Sequence, residues 1–369
     1  MRKVKVYVHL GMPKTGTSAL QSLLYHNRNK LKKCGFYYPD FGQKQHYPFV
    51  RALSEEAGSP SVFPGGGDQL SVSGFVKKIK RDIKKFKIHT VILSSEFFFD
   101  YAGLTPDRDD RAIGQALPFF KNVAQIINNN FHDFDVQIVT WLRRQDDWLM
   151  SMYNNVVKAH NFRNTFDHFE RKQVAPFYGS ILSQWGDVFG DDNINVFVYQ
   201  KGKPEFNVIS TFLNFIDGPI VDDLEQPEKN VREGNIGLPR DLMIIKREFN
   251  RGLSLPAPKV RAQLEDHFFT LADQPRFKNF DQPLLSPQKR LSIIEFFNEE
   301  NQIVVDRFMK DRSGRDLFEY SSEEFNDWKG LNGIDPVAMN SVYAGIITML
   351  MKKINYLEGE ILDIKSKRF

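Results

Sequence analysis

The stretch VYVHLGMPKTGTSALQSLL, residues 6–24, carries the pattern of a strand, a loop and a helix in succession. Its start alternates, with Val4, Val6 and Val8 set against Lys5, Tyr7 and His9, which is the period-two pattern of a strand. Beyond the turn, Leu20, Leu23, Leu24 and Leu31 recur at helical spacing, and Gly35 stands where a helix C-cap belongs. Strand, glycine-containing loop and helix in that order open a βαβ unit. A loop so placed aims backbone N–H groups and the positive end of the helix dipole at a bound anion. Gly16 permits close backbone approach, Thr17 and Ser18 add hydroxyl donors, and Lys14 adds a full positive charge.

Outward from this unit the alternation continues. FVKKIKRDIKKFK (75–87) places Val76, Ile79, Ile83 and Phe86 on one helical face with Lys and Arg on the other, which fits a solvated outer helix face better than a polyanion patch. A short apolar strand, TVILSSE (90–96), follows it. Pro118 then starts a helical stretch, VQIVTWLRR (136–144) reads as a second buried strand, and DDWLMSMYNNVVKAH (146–160) as a helix. ILSQWGDVFG (181–190) and INVFVYQ (194–200) repeat the pair. The expected fold is therefore α/β, a P-loop-like three-layer sandwich whose central parallel sheet is covered on both faces.

One helix is expected over residues 287–309. Past it Tyr343, Ile347, Leu350, Ile354, Leu357, Ile361 and Ile364 step alternately by four and three, a run of a/d positions. The expected division is 1–320 for the main domain and 321–369 for a helical tail. Docking on its own domain and self-association into a homo-oligomer both fit that tail.

The bulk properties limit the partners. Among 369 residues, 50 basic and 46 acidic side chains leave a net charge of +4, which suits an anionic small molecule and demands no nucleic acid. A single cysteine, Cys34, excludes an intramolecular disulfide and a cysteine-built zinc site. No segment approaches the roughly 18 apolar residues of a membrane span, so a cytoplasmic location without a membrane span is expected.

Gly11 and Gly16 have the spacing of the nucleotide triphosphatase loop GxxxxGK[ST], but position 17 is Thr where that loop has Lys. Lys14 lies three residues earlier, which directs its ammonium from the loop's other limb. PKTGTS (13–18), between VYVHLG and ALQSLL, resembles the 5'-phosphosulfate loop of sulfotransferases that use 3'-phosphoadenosine 5'-phosphosulfate (PAPS). It is closest to the carbohydrate and bacterial branches, which read PKTGT[TS]-x-L-Q. Ala19 stands where the small-molecule branch carries an adenine-binding Trp. The segment around WLRRQDDWLMS (141–151) resembles the family's 3'-phosphate site, a strand ending in Arg with a Ser eight residues on, and Arg143 and Ser151 fit that interval. Arg144 is its neighbour and rival.

The resemblance spans about residues 3 to 318. It implies transfer of a sulfuryl group to an acceptor hydroxyl, on a carbohydrate or glycolipid, by in-line displacement without a metal. It implies cofactor binding by Pro13, Lys14, Thr15, Gly16, Thr17, Ser18, Arg143 and Ser151. Tyr199, ending INVFVYQ, matches the family's Tyr near the adenine, and NVREGNIG (230–237) stands in place of its Arg-Lys-Gly loop, with only Arg232 and Gly234 echoing it. For the catalytic base the candidates are Glu96, at the end of TVILSSE, and His46, in GQKQHYPF, with His9 a third inside the first strand. Residues 40–75 and 100–115 are expected to supply the acceptor pocket. Two other readings stay open: a P-loop small-molecule kinase, and a non-catalytic nucleotide- or glycan-binding module.

Overall fold

The computed structural model describes residues 3–58, 67–99, 112–200, 207–219, 223–227, 237–252, 258–275, 277, 283–312, 314–325, 328, 330 and 336–366. In chain order the elements are β1 (Lys5–Leu10), α1 (Thr17–His26), α2 (Arg28–Lys33), β2 (Phe36–Tyr37), α3 (Tyr47–Glu56), α4 (Val72–Phe86), β3 (Thr90–Ser95) and α5 (Ala112–Phe131). There follow β4 (Asp135–Arg143), α6 (Gln145–Ala159), α7 (Phe166–Arg171), α8 (Tyr178–Phe189), β5 (Ile194–Tyr199), α9 (Val208–Phe215), α10 (Arg240–Gly252), α11 (Pro258–Ala272), α12 (Pro287–Phe296), α13 (Asn298–Phe308) and α14 (Pro336–Ser366). No helix among the described residues is long and apolar enough to cross a membrane.

Among the described residues five strands form one sheet in the order β2-β3-β1-β4-β5, with every pairing parallel. Helices flank it, as the alternating pattern requires. β1 lies between β3 and β4, so the chain leaves it toward one side of the sheet and later fills the other. That is the switch point of an open α/β sheet, where ligands bind outside the carboxyl ends of the strands.

Contacts divide the chain into two units, 1–149 with 167–229 and 291–320, and 150–166 with 230–290 and 321–369. The sheet belongs to the first. On one face Leu20, Leu23 and Leu24 of α1 and Val208, Phe212 and Leu213 of α9 bury themselves against Tyr7, Ile92, Val139 and Trp141 of the sheet. Full burial of one such leucine is worth about 1.5–3 kcal/mol, so this face alone holds α1 firmly against β1. α5 and α8 pack on each other and on β4. In the second unit α10, α11 and α14 pack together, and Asn250 donates to the Val157 and Phe162 carbonyls at 2.9 Å each.

Three helices differ from expectation. The helix expected to run unbroken from Ala19 to its glycine cap divides at Asn27, whose amide donates to the Leu23 carbonyl and to the distant Glu225 carbonyl, both at 2.9 Å. A side chain bonded in this way competes with the helix ladder. The 287–309 helix likewise divides at Phe297, which is buried between rings of Phe177 and Phe296. Pro118 lies inside α5 rather than at its start.

Candidate functional site

The loop between β1 and α1 is held from three sides. Thr140 Oγ1 of β4 donates to the Leu10 carbonyl at 2.9 Å, and the Gly11 amide donates to the Ser95 carbonyl at 3.0 Å. Trp148, fully buried on α6, donates its indole N–H to the Pro13 carbonyl at 2.9 Å, and Thr15 Oγ1 closes back on the Met12 carbonyl at 2.7 Å. Within the loop two residues take left-handed backbone, Lys14 at φ 67° and Gly16 at φ 86°. For Lys that conformation costs about 1–2 kcal/mol, and such strain gathers where a loop must present its amides in one direction. Gly16 is the residue before α1 and gives that helix no side-chain cap, and the first turn of α1 holds no acidic residue. The uncapped amides and the dipole of a ten-residue helix therefore face whatever the loop holds.

Glu96 stands over this loop. β3 ends at Ser95, whose Oγ accepts the Phe97 amide at 3.3 Å and so starts the short 3₁₀ turn Glu96–Phe98. The Glu96 carboxylate accepts from Thr17 Oγ1 at 2.5 Å and from Ser18 Oγ at 3.3 Å. A Cβ added at Gly11 would lie 3.1 Å from Thr17 Cγ2 and 3.3 Å from the Glu96 amide nitrogen, so this glycine lets the turn and the loop meet.

On the other side, the β4–β5 register sets Arg143 directly beside Tyr199. The Arg143 guanidinium carbon lies 5.7 Å from the Tyr199 ring centroid, and Nη1 donates to the Lys14 carbonyl at 3.2 Å. Its Nε is buried with no hydrogen-bond partner among the described residues. The Arg143 carbonyl accepts from Tyr178 Oη at 2.6 Å, and burial holds the Tyr178 phenol well above its ordinary titration range. Arg144 is spent elsewhere: it is buried, its Nε donates to Asp146 at 2.8 Å, and it approaches Asp147 at 3.7 Å. The two neighbouring arginines thus turn to different partners. Tyr199 also borders the loop, 4.0 Å from where a Gly16 Cβ would stand.

His46 is placed differently. It is fully buried, its Nδ1 accepts the Ser94 amide at 2.9 Å, and its Nε2 donates to the Pro39 carbonyl at 2.8 Å. Both ring nitrogens serve the backbone, and burial pushes its pKa down to about 4, so it stays neutral. His9 is buried as well, with Nδ1 2.8 Å from Ser94 Oγ and a pKa pushed down by burial to about 3. Ser94 also accepts from Gln21 at 3.1 Å, so these three side chains form one polar knot inside the core. Ser151 lies half-buried on α6, in the part of that helix belonging to the second unit. Arg232 lies outside the described residues, as do 59–66 and 100–111 of the expected acceptor segments.

Trp148, Thr140 and Tyr178 escaped the sequence reading. Trp148 alone left a trace, being the second Trp of the segment that carries Arg143.

No protein-family model matches the chain. An uncharacterized protein of Archaeoglobus fulgidus is 27% identical over 235 residues, covering 63% of this chain and 61% of that protein, so the match spans less than two thirds of the relative's length. A solved structure, a sulfotransferase from Alicyclobacillus acidocaldarius, superposes with a TM-score of 0.37 and 14% identity over 61% of this chain and 85% of that one. That likeness is slight, and the functional reading rests on the loop, Glu96 and Arg143.

Proposed function

We propose that the chain is a sulfotransferase that moves a sulfuryl group from PAPS to an acceptor hydroxyl, on a carbohydrate or glycolipid. The observation that carries the reading is the meeting of three groups at the carboxyl ends of adjacent strands. These are an uncapped, lysine-bearing anion loop after β1, a carboxylate after β3, and the arginine that ends β4, whose buried Nε has no partner among the described residues.

The residues fit a nucleotide bearing two separated phosphates. The amides of residues 16–18, with Lys14 and the Thr17 and Ser18 hydroxyls, offer donors for a 5'-phosphate. The orphaned Arg143 Nε seeks an acceptor, and a 3'-phosphate meets a guanidinium in bidentate fashion. Tyr199 lies beside that guanidinium, where an adenine could stack. When bound, the cofactor supplies an activated sulfuryl group on its 5'-phosphate.

This chain's residues then position and neutralise. Lys14 is assigned to the charge that develops on the leaving phosphate oxygen. Glu96 is assigned to take the acceptor's proton, since its carboxylate already sits at the loop. With both nitrogens of His46 committed to the backbone, that residue is assigned to bracing β3 against the 39–46 segment. In-line transfer needs alignment and charge stabilisation more than covalent help from the protein.

The test is to incubate the chain with PAPS carrying a labelled sulfuryl group and a panel of hydroxyl acceptors. Label transferred to at least one acceptor, in the presence of chelator, is the expected result. Transfer of the γ-phosphate of ATP instead, requiring magnesium, would return the site to the kinase class.

A further inference from the structure

α14 is anchored near its start. Within its own unit, Val342 is fully buried, and the Tyr343 ring lies 6.1 Å from that of Phe249 on α10. Gly345 lies so close to His267 of α11 that a Cβ there would come within 2.1 Å of the imidazole. From Leu350 to Ile361 every residue is exposed. Among them Leu350 keeps 55% of its surface in solvent, Ile354 54%, Leu357 44% and Ile361 51%. Helices draw most of their stability from packing an apolar face, so a stripe of this kind calls for a cover.

The heptad names the cover. Ile347, Ile354 and Ile361 occupy the a positions, and Tyr343, Leu350, Leu357 and Ile364 the d positions, with leucine at the two central ones. Isoleucine at a with leucine at d favours a parallel two-stranded coiled coil. Both glycines of the helix, Gly345 and Gly359, fall at f, the position farthest from the seam. Gly345 touches His267 and Val342, at c, is fully buried, so the docked side of the helix is the c/f side, and past Tyr343 the a/d seam turns away from α11. The flanks decide the direction. Lys353 stands at g and Glu358 at the following e, and a parallel pair brings each g residue against the partner helix's next e residue. Lys353 and Glu358 are five apart and do not face each other along one helix. The preceding g and e residues, Ile346 and Met351, are apolar and widen the seam. The polar flank mixes Lys352 and Lys353 with Glu358 and Glu360, unlike the basic face of helices that lie on anionic lipid.

We propose that α14 pairs in parallel register with α14 of a second copy of this chain, making a two-fold dimer sealed by Ile347, Leu350, Ile354, Leu357 and Ile361. The Lys353–Glu358 pair then occurs twice by symmetry.

Sedimentation equilibrium on the full chain tests this. The wild type is expected at twice the chain mass, and Ile354→Lys with Leu357→Lys at the single-chain mass, while Asn355→Lys at the outward b position stays dimeric. Since these substitutions could disturb folding, the charge pair gives the independent test. Lys353→Glu and Glu358→Lys should each weaken the dimer about 5- to 30-fold, the worth of two attractive pairs turned repulsive, and the double variant should recover it. A wild type of single-chain mass at every concentration would overturn the proposal, whether or not it co-sediments with phosphatidylglycerol vesicles. So would a dimer indifferent to Ile354→Lys and Leu357→Lys, or a double variant no tighter than the single ones.

Discussion

Replacing Arg143 with alanine removes more than a charge. In the protein its Nη1 donates to the Lys14 carbonyl at 3.2 Å, its Nε has no partner among the described residues, and the guanidinium lies beside the Tyr199 ring. The substitution therefore loosens the anion loop and deletes the donors assigned to the 3'-phosphate. Charge-assisted bonds are worth about 1.5–3 kcal/mol each, and cutting one side of a desolvated pair costs about 2–5 kcal/mol. A loss of about 2–4 kcal/mol follows, which is roughly a 30- to 900-fold rise in the dissociation constant of 3'-phosphoadenosine 5'-phosphate. Arg143→Lys keeps the charge without the planar fork and should fall between. Isothermal titration of the three proteins measures this directly. Arg144→Ala is the control: it breaks the buried pair with Asp146, so it should lower the melting temperature and leave the affinity of the surviving fold near wild type. An unchanged constant in Arg143→Ala, with binding lost in Arg144→Ala, would refute the assignment.

Lys14→Ala should lower kcat by about 10²–10³ with a smaller loss of cofactor affinity, because the loop amides still hold the 5'-phosphate; equal losses in both would make Lys14 a binding residue. Glu96→Gln keeps the shape and removes the base, so steady-state kinetics should show turnover reduced by about 10²–10⁴. Titration of the bisphosphate into that variant should show affinity undiminished, since a carboxylate at the helix N-terminus competes with the anion for the Thr17 and Ser18 hydroxyls. Stability should fall with acid. His46 and His9 titrate near 6.5 when unfolded but only at about 4 and about 3 when folded, so the unfolded chain binds more protons in between. Their contribution is complete above 6.5 and is lost as pH falls, at up to about 1.4 kcal/mol per unit for each, and a urea midpoint flat from pH 6.5 to 5 would contradict it.

What the sequence disclosed was local. The alternation of Val4, Val6 and Val8, the loop glycines and the Leu20–Leu24 spacing all lie within one βαβ opening, and the structure repeats them element for element. What it withheld depends on partners far along the chain. Asn27 breaks its helix by bonding Glu225, and His46, just before α3, spends its nitrogens on Pro39 and on Ser94 of β3. Trp148 reaches back 135 positions to Pro13. Arg143 and Arg144 are chemically alike and adjacent, and only the strand's last turn of the backbone sends one toward Lys14 and the other toward Asp146. The positive φ of Lys14 has no sequence signature at all, because lysine has no preference for that region.

The proposed function has the β1–α1 loop and Arg143 holding the two phosphates of 3'-phosphoadenosine 5'-phosphate. Calorimetric titration of that bisphosphate into the full chain, in chelator, tests it most directly, beside a parallel titration of ATP with magnesium. One bisphosphate per chain is expected to bind, without metal and much more tightly than ATP. Binding of ATP with magnesium and none of the bisphosphate would contradict it.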